Sequence, residues 1–220
     1  MRNADLRNEL CNYARKIASS GLVVGPGGNL SARTGDWMYL SPSGFAVEEI
    51  EASQWVEIEI STGAITDNGL RPSSEVLLHL YAYRVNPLIE AIVHTHPSSC
   101  IAFTLVETEL PVMFPDQAAL VGRTAYVPYV LPTTEQLAVA VAGKAGEASS
   151  ILLGNHGLVT TGRNLREAYY RTQIVDESCK VYLSAHAVSS EPSVLDEAQV
   201  AEIASLESEE YRIKLLQQMK

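Results

Sequence analysis

The sequence predicts an α/β fold in which a mixed or antiparallel central sheet is covered by helices. Strand-like and helix-like segments intermingle along the whole chain, with several short strands in succession. The 220 residues suffice for a single domain, residues 1–220, with a sizeable core. Apolar residues make up 46% and charged residues 19%, a globular composition, and no internal repeat or low-complexity linker interrupts it.

Each element rests on a local pattern. Leu6, Leu10, Ala14, Ile17 and Ala18 recur at helical spacing, so residues 4–20 read as an amphipathic helix with Gly21 as its C-cap. A Gly-rich turn at Gly25-Pro26-Gly27-Gly28-Asn29 precedes short strands expected at 29–33, 37–41 and 55–60. Asp67-Asn68-Gly69 marks a turn, and 73–85 starts with cap residues and continues as a helix. Residues 91–96 read as a buried strand and 97–106 as a helix after Pro97. Strands are expected at 111–114, 124–130 and 150–153, and helices at 133–145, 164–187 and 195–217, the last two joined by a linker near 187–195.

Charge narrows the function. Sixteen Lys and Arg against 26 Asp and Glu give a net charge of −10 and a pI near 5.0. That balance speaks against nucleic acid and against anionic membranes, both of which call for a basic face. No stretch approaches the roughly 18 apolar residues of a membrane span, and MRNADLRNEL lacks a signal-peptide apolar region. Cys11, Cys100 and Cys179 are widely spaced and odd in number, so no disulfide framework is expected, and a reducing, cytoplasmic setting is. An anionic substrate would have to be attracted locally, against the global field.

Histidine patterns offer such chemistry. In AIVHTHP, His94 and His96 are at i and i+2 of a strand, so both imidazoles project to one face at a separation suited to one metal ion. Gly154-Asn155-His156-Gly157 follows the apolar strand ILL, with glycines on either side to turn the chain and present His156 at the strand end. Three imidazoles with an open position suit catalytic zinc, although Mn2+, Co2+ or Fe2+ could use the same donors. His79 and His186 read as ordinary surface or core residues within helices. Pro72-Ser73-Ser74-Glu75 is a helix start, hence a set of free N–H groups at a positive dipole end with two hydroxyls added. Ser41-Pro42-Ser43-Gly44 and Gly27-Gly28-Asn29 supply further donors, and together these loops could cradle a phosphate without lysine.

GPGGNLSAR, SPSG, PSSE, HTHP and GNHG occur in this order over residues 25–157. In this the chain resembles the class II aldolase/adducin head family, within it the L-fuculose-1-phosphate aldolase-like enzymes. The resemblance implies an α/β/α fold around a mostly antiparallel sheet, assembled as a homotetramer with intersubunit active sites. It implies that His94, His96, His156 and Glu75 hold Zn2+, and that Glu75 is also the catalytic acid/base. It implies that Asn29, Ser43, Gly44, Ser73 and Ser74, with Gly28 beside them, hold the phosphate of a small phosphorylated sugar. The implied reaction is cleavage of a ketose 1-phosphate to dihydroxyacetone phosphate and an aldehyde through a metal-stabilised enediolate. A sugar-phosphate 4-epimerase, an oxo-tetronate phosphate decarboxylase and a metal-free adducin-like binding module are the other activities found in the family.

One departure stands out. Fuculose-type enzymes use a tyrosine from the neighbouring subunit where this chain has Pro111–Gln117, a stretch without tyrosine. Asp116, Tyr126 and Tyr129 are the alternatives for its role, and Tyr211 resembles a second family tyrosine that closes over the substrate.

Overall fold

A computed structural model describes residues 4–66 and 68–218. The chain runs α1 (Ala4–Ser19), β1 (Asn29–Thr34), β2 (Trp37–Leu40), β3 (Val56–Glu59), α2 (Val76–Val85), β4 (Ala91–Thr95), α3 (Ser98–Thr104), α4 (Pro115–Leu120) and β5 (Ala125–Val127). It continues as α5 (Glu135–Ala145), β6 (Ser150–Leu153), β7 (Gly157–Gly162), α6 (Leu165–His186), α7 (Glu197–Ala204) and α8 (Glu207–Gln218). The seven strands form one sheet in the order β3-β2-β1-β4-β7-β6-β5, antiparallel throughout except for the β5–β6 pair. This is the α/β, mostly antiparallel architecture expected. No described helix is long and apolar enough to cross a membrane.

Strand alternation sorts the core onto the two faces of the sheet. One face carries Met38, Leu40, Ile58, Ile92, Ile151 and Val159 under Leu78, Tyr83, Leu137 and Val141 of α2 and α5. The other carries Leu30, Ala32, Tyr39 and Val93 under Leu10, Ala14 and Ile17 of α1 and Ala168 of α6. A third cluster packs Cys100 and Phe103 of α3 and Val175 and Cys179 of α6 on Leu152 and Leu158. The α1 stop behaves as its sequence suggests. Gly21 has φ +69, its N–H donates to Ala18 O, and Leu22 N–H donates to Ile17 O, the paired bonds of a Schellman cap.

The structure departs from sequence expectation at particular places. Residues 111–114 form no strand. Buried Gln117 accepts from Met113 N–H at 3.0 Å and donates to Pro111 O at 2.8 Å, and Leu195 N–H donates to Val112 O at 2.9 Å. The backbone groups that a ladder neighbour would satisfy are thus taken by a side chain and a distant loop. Strand β7 was not anticipated: its LVTT run follows β6 after a three-residue turn, and the glycines at its two ends masked it. The strand expected over 124–130 is confined to Ala125–Val127. The helix expected over 195–217 divides into α7 and α8 at Ser205-Leu206. Neither buries a residue, so no packing enforces continuity, and the Ser205 hydroxyl bonds Glu202 O at 2.8 Å. In the 67–69 turn Asp67 lies outside the described residues. Asn68 accepts from Leu70 N–H and donates to Trp55 O.

Candidate metal centre

Register builds the site. Strand β4 is central, with Asn29 of β1 directly opposite His94 on one side and Val159 of β7 opposite it on the other. Opposed residues share a face, so Asn29 and His94 both point toward α2. Helix α2 begins just after Glu75, whose side chain drops onto the same spot. His96 lies just past the β4 end, and His156 sits in the β6–β7 turn beside it.

One ligand atom from each of Glu75, His94, His96 and His156 lies within 4.8 Å of all the others. Glu75 Oε2 is 3.0 Å from His94 Nε2, Glu75 Oε1 is 3.4 Å from His156 Nε2, and the two Nε2 atoms of His94 and His96 are 3.0 Å apart. Donors bound at about 2.1 Å to a tetrahedral ion lie roughly 3.4 Å from one another, so these separations suit one small cation. His94 Nδ1–H donates to Leu158 O at 3.0 Å, so Nε2 is the nitrogen turned toward Glu75 and His96 and placed for a ligand bond. Glu75 Oε1 and His156 Nδ1 are buried without a hydrogen-bond partner. A buried carboxylate oxygen is costly when left so, and a cation would satisfy it. The donor set therefore fits a divalent metal.

The electrostatics agree. Burial pushes the Glu75 carboxyl up, but His94 and His156 beside it and the Asn29 N–H outweigh that, and its pKa falls well below the usual carboxylate range. Burial pushes His94 down, yet the Glu75 carboxylate and the Leu158 carbonyl raise it on balance. Burial, then the neighbouring His94 and His156, lowers His96 to about 3. Burial and then His94 lowers His156 to about 4. His96 and His156 are therefore neutral near pH 7, the form that binds metal.

Close packing of glycines holds the histidines in place. A Cβ on Gly157 would collide with Thr95 O and lie 3.0 Å from His96 Cδ2. A Cβ on Gly154 would lie 2.7 Å from the Tyr126 hydroxyl. Neither has positive φ; the left-handed residue in this turn is Asn155, at φ 56. The glycines flanking His156 serve close approach rather than the turn itself.

The remaining expected residues lie on loops tied to one another and to β1. Ser43 N–H donates to Arg71 O and Ser73 N–H to Ser41 O, both at 2.8 Å, which zips the SPSG and PSSE loops together. Ser41 Oγ accepts from Leu30 N–H at 3.0 Å and so ties both loops to β1 beside Gly28-Asn29. Ser43, Gly44 and Ser74 are exposed, whereas Ser73 is buried and its Oγ accepts from Glu75 N–H. Asn29 Nδ2–H donates to Glu75 Oε2 at 3.0 Å.

Of the three groups considered for the missing tyrosine and the Tyr211 matched to the second, Asp116 pairs with Arg212 of α8 at 2.7 Å. Tyr126 packs on Gly154, and Tyr129 and Tyr211 are exposed. His79, read as an ordinary surface or core residue, is fully buried and wired to the site: its Nε2 is 2.6 Å from Asn29 Oδ1 and its Nδ1 2.7 Å from Ser31 Oγ. Its signal in sequence was the spacing of Glu75, His79 and Tyr83 at i, i+4 and i+8 on one helix face.

The sequence pattern of the Class II Aldolase and Adducin N-terminal domain matches residues 8–183. The chain belongs to that family. An L-fuculose phosphate aldolase of Methanococcus maripaludis is 34% identical over 155 residues, 70% of this chain and 83% of that protein. A 5-deoxy-D-ribulose 1-phosphate aldolase of Bacillus thuringiensis is 30% identical over 200 residues, 90% of this chain and 93% of that protein. A solved L-fuculose 1-phosphate aldolase superposes with a TM-score of 0.86 at 29% identity, covering 94% of this chain and 96% of the other. The matched residues, 8–183, include the metal-suited cluster of Glu75, His94, His96 and His156.

Proposed function

We propose that this class II aldolase family member is a Zn2+-dependent carbon–carbon lyase that cleaves a ketose 1-phosphate to dihydroxyacetone phosphate and an aldehyde. The observation that carries this reading is the convergence of three imidazoles and one ionised carboxylate at the end of β4. Both named relatives act, by their names, on phosphorylated ketoses, which supports a substrate of that class.

Aldol cleavage takes a proton from a hydroxyl, breaks the adjacent C–C bond, and leaves the ketone half as an enediolate that must be protonated at carbon. Held by His94, His96, His156 and Glu75, a divalent ion supplies a Lewis acid for the developing negative charge. The Glu75 carboxylate is ionised and has a second oxygen beyond the one a metal would take, so it can carry the proton that reaches carbon. The joined loops supply Gly28, Asn29, Ser43, Gly44, Ser73 and Ser74 for the phosphate, and Asn29 Nδ2 has a second N–H beyond the one given to Glu75. Anchoring the phosphate there would orient the reacting carbons over Glu75. We assign the protein to the cytoplasm, in keeping with its free, buried Cys11, Cys100 and Cys179, and to a homotetramer with sites between subunits.

The test is a panel of ketose 1-phosphates and phosphorylated oxo acids with added Zn2+, sampled for dihydroxyacetone phosphate and for carbon dioxide. Dihydroxyacetone phosphate is the expected product, and Glu75→Gln should lower kcat by about 10²–10⁴-fold. Carbon dioxide from an oxo acid, with no dihydroxyacetone phosphate from any ketose, would refute the aldolase reading.

A further inference from the structure

Five side chains behind the metal centre form one hydrogen-bonded line. Tyr83 OH is 2.9 Å from Ser31 Oγ, Ser31 Oγ is 2.7 Å from His79 Nδ1, His79 Nε2 is 2.6 Å from Asn29 Oδ1, and Asn29 Nδ2 is 3.0 Å from Glu75 Oε2. The line exists because two periodicities interlock. Glu75, His79 and Tyr83 recur every four residues along one face at and beyond the start of α2, and Asn29 and Ser31 alternate onto one face of β1. Ser31 and His79 are fully buried, and Tyr83 and Asn29 nearly so, so no water can take the place of a missing partner.

The proton positions follow from one end. The Glu75 carboxylate only accepts, so Asn29 must turn its NH2 toward it. Asn29 Oδ1 then faces His79 and accepts, so His79 must carry its proton on Nε2. His79 Nδ1 is then an acceptor, Ser31 donates to it, and Tyr83 donates to Ser31. Every bond in the line points toward Glu75. The opposite tautomer would flip the Asn29 amide and set its carbonyl oxygen against the carboxylate at 3.0 Å, acceptor against acceptor.

We propose that His79, as its Nε2–H tautomer, is a positioning residue that locks the Asn29 amide and through it the Glu75 carboxylate. It touches neither substrate nor metal. The proposal rests on the metal reading given above only in its consequence for Zn2+ affinity; the tautomer stands on the hydrogen-bond line alone.

The experiment uses the full chain labelled with ¹⁵N-histidine, with Zn2+ affinity measured by competition against a chromogenic chelator. His79 is expected to show a protonated Nε2 and a bare Nδ1, with or without Zn2+; a protonated Nδ1 overturns the proposal. His79→Leu, which has no donor for Asn29, should bind Zn2+ about 10-fold more weakly, the low end of the range for losing a ligand's direct partner, because Asn29 stands between His79 and Glu75. His79→Gln keeps an amide donor and should stay within about threefold of the parent. Parent-like Zn2+ affinity in folded His79→Leu, or an equal loss in His79→Gln, also overturns it. Should His79→Leu fail to fold, Ser31→Ala decides, because it removes the donor to Nδ1. Because Asn29 fixes the proton from the Glu75 end, the Nε2–H tautomer is expected to persist in Ser31→Ala, and a switch to Nδ1–H overturns the proposal. If the parent protein binds no Zn2+ at all, the metal reading fails, and His79 is still judged by its tautomer.

Discussion

Gly28→Ala should damage both the fold and the metal centre, and the structure gives the size of the effect. Gly28 has φ +74, a left-handed conformation that costs an L-residue roughly 1–2 kcal/mol. A Cβ there would lie 2.6 Å from Val23 Cγ1 and 2.9 Å from the His94 carbonyl oxygen. Carbon atoms normally approach to about 3.5–4.0 Å, so the methyl overlaps Val23 by about 1 Å. Overpacking of that kind costs typically 1–3 kcal/mol, for a combined loss of about 2–5 kcal/mol. Val23 can rotate, but the His94 carbonyl belongs to β4 and carries a proposed metal ligand with it. Ligand positions tolerate about 0.2 Å, so a strand shift of a few tenths of an ångström should also weaken metal binding. Gly25→Ala is the control: φ is +57 in the same loop, and an added Cβ meets nothing within 4 Å. It should show the backbone cost alone. Urea midpoints for both variants, with Zn2+ stoichiometry after gel filtration, make the comparison. Equal destabilisation of the two, with full Zn2+ in Gly28→Ala, would show that close approach to β4 is not what this glycine provides.

Further outcomes are expected elsewhere. His94→Ala should lose bound Zn2+ and also about 1–3 kcal/mol of stability, because the buried Leu158 carbonyl loses its partner; metal analysis and thermal melts read the two separately, and retained stoichiometry refutes the ligand role. Gly143→Ala lies inside α5 with open space around it and should raise stability by about 0.5–1 kcal/mol, seen as a higher Tm; a lower Tm contradicts the open geometry. Burial, followed by the nearby His94, lowers His79 from 6.5 to about 3. The folded chain therefore resists protonation there, so stability falls as pH drops below 6.5 and the loss is complete below about 3, roughly 4–5 kcal/mol in all. Metal-free His79→Gln should show a shallower fall in urea midpoint between pH 6.5 and 4 than the parent, and parallel curves would exclude His79 as the source.

Much of the centre was legible in sequence because its spacings are local. His94 and His96 share a face by strand alternation, Glu75 opens a helix, and His156 follows a strand end, so each could be recognised without knowing its neighbours. The phosphate-loop candidates were picked out by short Gly/Ser/Asn motifs, but the Ser43 and Ser73 N–H groups, expected to be free, are spent on Arg71 O and Ser41 O. Where the reading failed, a distant partner decided. Residues 111–114 have strand-like composition, but Gln117 and Leu195 occupy their backbone groups. The glycines beside His156 looked like turn residues, and proved to be sites of contact with Thr95 and Tyr126.

The sequence by itself determined most of the elements, the family and the four candidate ligand residues, because periodicity and motif spacing are properties of the chain alone. Only the tertiary structure decided that the four ligand atoms converge, and that Asn29 and His79 stand behind Glu75. Those facts depend on the β1–β4 register that sets Asn29 opposite His94, and on the seating of α2 over that pair. Register and seating are fixed by core packing between residues far apart in the chain, which no local spacing records.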